Sequence, residues 1–179
     1  MLTLGLVNTY DRIKVLDAHY RSIARAAPIA YSYGFALALF DYPFKMDAGE
    51  LCDFVADKTT IGRSGKYLHE MLEQNRLFVF DLPKKGFQPQ FGVPVVTTSS
   101  PDPKKAITPA ALAHEIPRGG SYLLLVGLGH KGLPRELFGR ARHHLDITGQ
   151  GIPLETCTAI GAVPAVLAAL VGERVKKKS

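Results

Sequence analysis

The sequence predicts an α/β domain built on a mostly parallel sheet with helices on both faces. Three observations lead there. Short apolar runs alternate with stretches of helical periodicity along the whole length. Several runs, such as Phe35–Phe40 (FALALF) and Tyr122–Val126 (YLLLV), are apolar at every position, the pattern of a strand buried on both faces. No internal repeat and no linker divides the chain, so residues 1–179 are expected to form a single domain.

The elements follow in order. Leu2–Val7 (LTLGLV) reads as a strand, and Asn8 marks its end. Asp17–Tyr33 carries Ile23, Ala26, Ala27 and Ala30 at helical spacing, with Pro28 expected to kink or split the helix and Gly34 to close it. After strand Phe35–Phe40 come two helices, Asp47–Ala56 and Lys66–Gln74, separated by a polar loop over Asp57–Arg63. Leu77–Phe80 and Val93–Thr98 are strands around a loop at Pro83–Gly92; Pro94, near a strand start, does little harm to the ladder. Ser99–Lys105 is loop. Thr108 with Pro109 behind it begins a helix to about His114. Pro117–Gly120 is a turn. Strand Tyr122–Val126, a glycine loop, a helix from about Pro134, strand His143–Ile147, a second polar loop and a helix over Leu154–Gly172 complete the chain.

Composition narrows the function. With 46% hydrophobic residues the chain has the makings of a core, and at this length it can bury roughly 70% of its unfolded surface without disulfides or metal. No apolar run reaches the eighteen or so unbroken residues of a membrane span. The segment MLTLGLVNTYDR lacks the basic start and cleavage site of a signal peptide. Cys52 and Cys157 are far apart and not in CxxC spacing, which fits a reducing cytoplasm and offers no metal site. The net charge of +6 permits a polyanionic partner. Part of it lies in the tail, residues 174–179, which is read as a solubilising end. Arg12, Lys14, Arg21, Arg63, Lys66, Lys84 and Lys85 are candidate RNA contacts, though each is read more readily as an ordinary solvated charge.

In an open parallel sheet, ligands sit at the carboxyl ends of strands. Three such ends stand out: Thr97–Ser100, the glycine loop Gly127-Leu128-Gly129-His130-Lys131-Gly132, and Asp146–Thr158. Glycines let a backbone approach a ligand closely. The spacing Gly127, Gly129, Gly132 matches GxGxxG, but a dinucleotide fingerprint belongs after the first strand of its unit, and this loop comes late. GRSGKY at 62–67 lacks the spacing of a P-loop and reads as a basic loop capping a helix. Thr156, Cys157 and Thr158 open the last helix, where hydroxyls cap amides and Glu155 suits the dipole. Cys157 has no basic partner nearby in sequence, so it reads as a small packed residue rather than a nucleophile. Adjacent His143 and His144 face opposite sides of a strand and do not share a metal readily.

GLGHKGLPRE followed by HHLDITGQGIPLETCTAIGAVPAVLAAL resembles the last two motifs of the SPOUT (α/β-knot) methyltransferases, and in particular an uncharacterised archaeal branch of them. The resemblance is strongest over residues 93–172. Asn8, Arg25 and the run SIARAAPIAYSYGF are similar, more faintly, to the first motif of the ribose-methylating members. The resemblance implies a C-terminal deep trefoil knot, S-adenosyl-L-methionine as cofactor, an RNA substrate (tRNA or rRNA) and a homodimer, with no metal. It implies three cofactor walls: Thr97, Thr98 and Ser99; Gly127, Leu128, Gly129 and Gly132; and Ile147, Thr148, Gly149, Ile152, Leu154, Thr156 and Ala159. Arg25 is the match to the first-motif arginine and the candidate catalytic residue.

The chain departs from the ribose methylases at three points: the longer spacing from Arg25 to Gly34, Pro28 within it, and Glu-Thr-Cys-Thr where they carry Ser-Leu-Asn. Ribose and base methylation therefore both stay open. Two other readings stand beside this one: a knotted RNA-binding protein without catalysis, and a generic nucleotide-binding α/β enzyme using GLGHKG for phosphate.

Overall fold

The computed structural model describes residues 1–59 and 65–176. Residues 60–64, which include Arg63 and half of the loop at 62–67, and the side chains of the basic tail lie outside the described residues.

Seven strands form one sheet in the order β3-β2-β1-β6-β4-β7-β5, and every neighbouring pair is parallel. They are β1 (Leu2–Asn8), β2 (Ala36–Phe40), β3 (Leu77–Phe80), β4 (Val93–Thr97), β5 (Ala106–Ile107), β6 (Tyr122–Leu128) and β7 (His143–Leu145). The helices are α1 (Asp17–Ser32), α2 (Ala48–Lys58), α3 (Lys66–Glu73), α4 (Pro109–Glu115), α5 (Arg135–Arg140) and α6 (Thr156–Lys176). Short 3-10 turns at Pro89–Phe91 and Ile116–Arg118 complete the elements.

The uniformly apolar strands do occupy the middle of the sheet. All five residues of β2 are buried, and β1 and β6 lie side by side from Leu2↔Tyr122 to Asn8↔Leu128. Because side chains alternate along a strand, the sheet has two apolar faces, and the helices divide unequally between them. Leu4, Leu6, Leu37, Leu39, Leu124 and Val126 meet α1, α2, α3, α4 and α6. Val7, Ala38, Phe40, Leu123 and Leu125 pack with Leu133, Leu137 and Ala141 around the short α5, and with Phe87 and Phe91 from the loop before β4.

Four expectations need correction. Pro28 does not split α1, which runs unbroken through it. Ala24, Ala26, Ala27 and Ala30 bury the helix on both sides of the proline, and the chain closes firmly beyond it. There, Gly34 takes φ +74° and the Phe35 amide donates to the Ala30 carbonyl at 2.8 Å. Tertiary packing thus outweighs the missing amide. β5 was not expected: Ala106–Ile107 fall between the loop Ser99–Lys105 and the cap at Thr108, and they are strand only because they pair with β7. β6 extends past Val126 to include Gly127 and Leu128, because the neighbouring β1 continues to Asn8. Strand β7 ends at Leu145 instead of Ile147.

Since every strand is parallel, all carboxyl ends share one edge of the sheet. The order places β1, β6, β4 and β7 consecutively, so the loops after these four strands are neighbours although they begin near residues 9, 98, 129 and 146.

Candidate functional site

The glycine loop folds back onto its own strand. A Cβ on Gly127 would lie 2.5 Å from the Gly132 carbonyl carbon and 2.8 Å from the Leu133 amide nitrogen, so only glycine permits this return. Thr9, just past β1, fastens the loop: its hydroxyl reaches the Leu128 carbonyl at 2.8 Å and the Gly132 carbonyl at 3.0 Å. Gly132 itself takes φ +64°, and the space its missing Cβ would fill is open.

The loop before α6 is organised by Asp146. Its carboxylate accepts from the Thr148 hydroxyl at 2.7 Å, the Thr148 amide at 3.0 Å and the Gly151 amide at 2.7 Å. Burial pushes this carboxyl up, but the Thr148 hydroxyl and the loop amides outweigh burial and hold it below its ordinary value. The start of α6 is also tied down. Thr156 donates its hydroxyl to the Gly127 carbonyl at 3.0 Å, and the Cys157 amide is capped by the Glu155 carboxylate at 2.8 Å. The cap is therefore glutamate; the threonine hydroxyl expected in that role instead joins α6 to β6.

Two adjoining cavities open between these loops. The smaller, of about 300 Å³, lies between the end of β4 and the Asp146 loop; Thr97, Thr98, Ser99, Ile147, Ile152 and Leu154 line it. The larger, of about 700 Å³, lies between the glycine loop, the start of α6 and the outward face of α1. Gly127, Leu128, Gly129 and Thr156 line it. Thr97, Gly132, Leu154 and Ala159 border both. Twelve of the fourteen residues of the three expected walls thus converge on this pair of cavities. Thr148 and Gly149 border neither; the Thr148 hydroxyl and both amides are bonded to Asp146 within the turn.

Arg25 reaches the same place from the other half of the chain. It lines the larger cavity, and its Nη1 donates to Cys157 Sγ. Cys157 therefore does have a basic partner, brought across 132 positions by the packing of α1 beside α6. Cys52, by contrast, is fully buried, and burial pushes its thiol up to about 11. Three further residues of the larger cavity were not among the expected wall residues. Tyr10 is exposed at its rim. Ser22 lies one turn before Arg25 and is hydrogen-bonded to the His19 carbonyl at 2.7 Å and the Tyr42 hydroxyl at 2.9 Å. Glu155 caps α6 as described. Ser22 could have been found from the three-residue spacing that puts it on Arg25's face of the helix.

Of the candidate RNA contacts, Arg12, Arg21 and Lys66 are engaged in surface ion pairs with Asp41, Asp17 and Glu70 at 3.0, 3.3 and 3.3 Å. Lys14, Lys84 and Lys85 are exposed. His144 is buried and hydrogen-bonded to the Asp102 amide and the Phe138 carbonyl, so it pins loops together. Among the described residues no group of three metal-ligating side chains converges. No described helix is long and apolar enough to cross a membrane.

The profile of a protein family described as "Protein of unknown function (DUF531)" matches residues 2–168. An uncharacterised protein of Methanocaldococcus jannaschii, MJ0224, is 48% identical over 168 residues, covering 93% of this chain and 92% of that protein. Among solved structures, a Bacillus anthracis protein assigned as an RNA methyltransferase superposes with a TM-score of 0.64 at 14% identity, over 96% of this chain and 95% of that one. The SpoU methyltransferase AviRb of Streptomyces viridochromogenes, in complex with AdoMet, superposes with a TM-score of 0.51 at 16% identity, over 97% of this chain and 58% of that one. At such identities these two likenesses establish the fold, which is that of the SPOUT methyltransferases.

Proposed function

We propose that this chain, which belongs to the DUF531 family and has the SPOUT fold, is an S-adenosyl-L-methionine-dependent RNA methyltransferase acting on tRNA or rRNA. The observation that carries the proposal is the convergence of three separate loops and Arg25 on two adjoining cavities at the carboxyl edge of the sheet. The residues present suit the cofactor. Ile147, Ile152 and Leu154 offer an apolar slot for a flat purine, and Thr97, Thr98, Ser99 and Gly132 bring hydroxyls and backbone groups to its polar edges. The AdoMet complex of a SpoU neighbour supports this choice. When bound, S-adenosyl-L-methionine supplies an activated methyl group on a sulfonium.

The chain's own residues supply position and charge. Arg25 faces the larger cavity, where a guanidinium stabilises negative charge developing on an acceptor oxygen and so eases loss of its proton. The loop walls hold acceptor and donor in line. In this reading residues 1–179 form one domain, with the knot within about residues 93–172, and the protein works in the cytoplasm as a homodimer. The partly exposed apolar side of α6, at Ala165, Val166 and Ala169, supports a homodimer interface. The net charge of +6 supports an RNA partner.

Calorimetry tests the cofactor: saturable binding of S-adenosyl-L-methionine is expected, and a folded chain that binds none at millimolar ligand contradicts the proposal. Nucleoside mass spectrometry of RNA from a strain lacking the gene should show one methylated nucleoside missing, and its identity decides between ribose and base. Glu-Thr-Cys-Thr at the start of α6 favours a second reading, a knotted RNA-binding protein without catalysis. It predicts RNA binding with no nucleoside lost.

A further inference from the structure

We propose that Cys157 is a positioning residue, whose sulfur holds the Arg25 guanidinium over the larger cavity; this rests on the methyltransferase reading above. A surface arginine on a helix samples many rotamers, and each must be given up before the guanidinium can act at a defined point. Arg25 is exposed, and among the described residues no carboxylate forms an ion pair with it. Its side chain has one described hydrogen bond, donated by Nη1 to Cys157 Sγ.

The sulfur is itself well anchored. Cys157 sits in the first turn of α6, its amide held by Glu155 and its neighbour Thr156 fixed to the Gly127 carbonyl. Gly127 belongs to the strand whose loop borders both cavities. The guanidinium is therefore referenced to the cofactor side of the site rather than to α1 alone. The helix beneath it is also rigid: Ser22 is buried and bonded to His19 and Tyr42.

The choice of sulfur has a chemical consequence. A carboxylate at this point would orient Arg25 but also cancel much of its charge. A thiol is only a weak acceptor, so it fixes direction and leaves the cation's field available. Of the five N–H groups of a guanidinium, the four not spent on sulfur can meet acceptor oxygens of a bound nucleotide. This gives a use to Cys157, which is not among the residues of the cofactor walls.

The test is a double-mutant cycle on methyl transfer to unmodified RNA from a strain lacking the gene. Cys157→Ala should lower kcat by about 10- to 100-fold, with the affinity for S-adenosyl-L-methionine measured by calorimetry unchanged. Cys157→Ser, which restores an acceptor, should recover most of the rate. In an Arg25→Ala background, Cys157→Ala should cause no further loss. Should Cys157→Ala misfold, the wild-type protein can be treated with methyl methanethiosulfonate. Cys52 is buried and its thiol raised to about 11, so the reagent reports on Cys157. The same fall in kcat, reversed by dithiothreitol, is expected. An unchanged kcat after either treatment, or losses that multiply across the two sites, overturns the role of Cys157 while leaving the methyltransferase reading intact. Wild-type protein that transfers no methyl group overturns both.

Discussion

The carboxyl edge of the sheet ends in two polar regions that are built in opposite ways. At β1 and β2 everything is consumed. Asn8, fully buried, donates to the Asp11 and Asp41 carbonyls, both at 2.8 Å. Its side-chain oxygen accepts from the Tyr10 amide at 3.0 Å and from His19 Nε2 at 3.2 Å. His19 Nδ1 accepts from the Leu16 amide at 2.9 Å, so the ring is neutral with its proton on Nε2. At β6 and β7 the glycine loop and the turn around Asp146 also tie themselves together, yet they leave open space over Gly132 and two cavities between them. A saturated buried network stabilises a fold; a rigid frame around unfilled space recognises something else.

The largest expected effect is at the saturated end. Asn8→Ala strands two carbonyls, an amide and a histidine and should cost about 3 kcal/mol of stability by urea unfolding. A loss well under 1 kcal/mol would show that water replaces Asn8 freely and would erase the contrast. Gly127→Ala comes next, at roughly 2 kcal/mol, because its Cβ must displace backbone at 2.5 Å. Gly132→Ala should cost only about 1 kcal/mol, the strain of a left-handed residue in open space. Its Cβ enters the border of both cavities, so the affinity for S-adenosyl-L-methionine should fall by roughly tenfold, about 1.4 kcal/mol. A Gly132→Ala protein of normal affinity would separate the glycine loop from the ligand. The smallest effect is on pH dependence. Burial lowers the His19 pKa below its ordinary 6.5. The unfolded chain then binds a proton that the folded chain resists. The contribution of His19 should be complete above pH 6.5 and decline as pH falls below it, and His19→Gln should flatten that slope in urea titrations.

Legibility followed the distance over which each signal acts. The strands FALALF and YLLLV, the cap at Thr108 and the close of α1 at Gly34 were readable because apolar runs and capping chemistry are local. β5 was not readable: two residues carry no period, and they are a strand only beside β7. Pro28 misled because a local rule for helix breaking met a helix buried on both sides of the fault. In the candidate site, the loops on 97–99 and 127–132 announced themselves through glycines and hydroxyls after apolar runs. Thr148 and Gly149 looked equally suitable, and only the hydrogen bonds to Asp146 show that they serve the turn.

By itself, then, the sequence determined the class of the fold, the run of its elements and the loops that end its strands, since these depend on residues within a turn or two of one another. The tertiary structure alone decided that β6 lies between β1 and β4, and hence which loops face each other. It also decided that Arg25 meets Cys157. Two residues 132 positions apart share no period and no spacing rule; crossovers between parallel strands bring them together, and the packing of α1 beside α6 sets the distance.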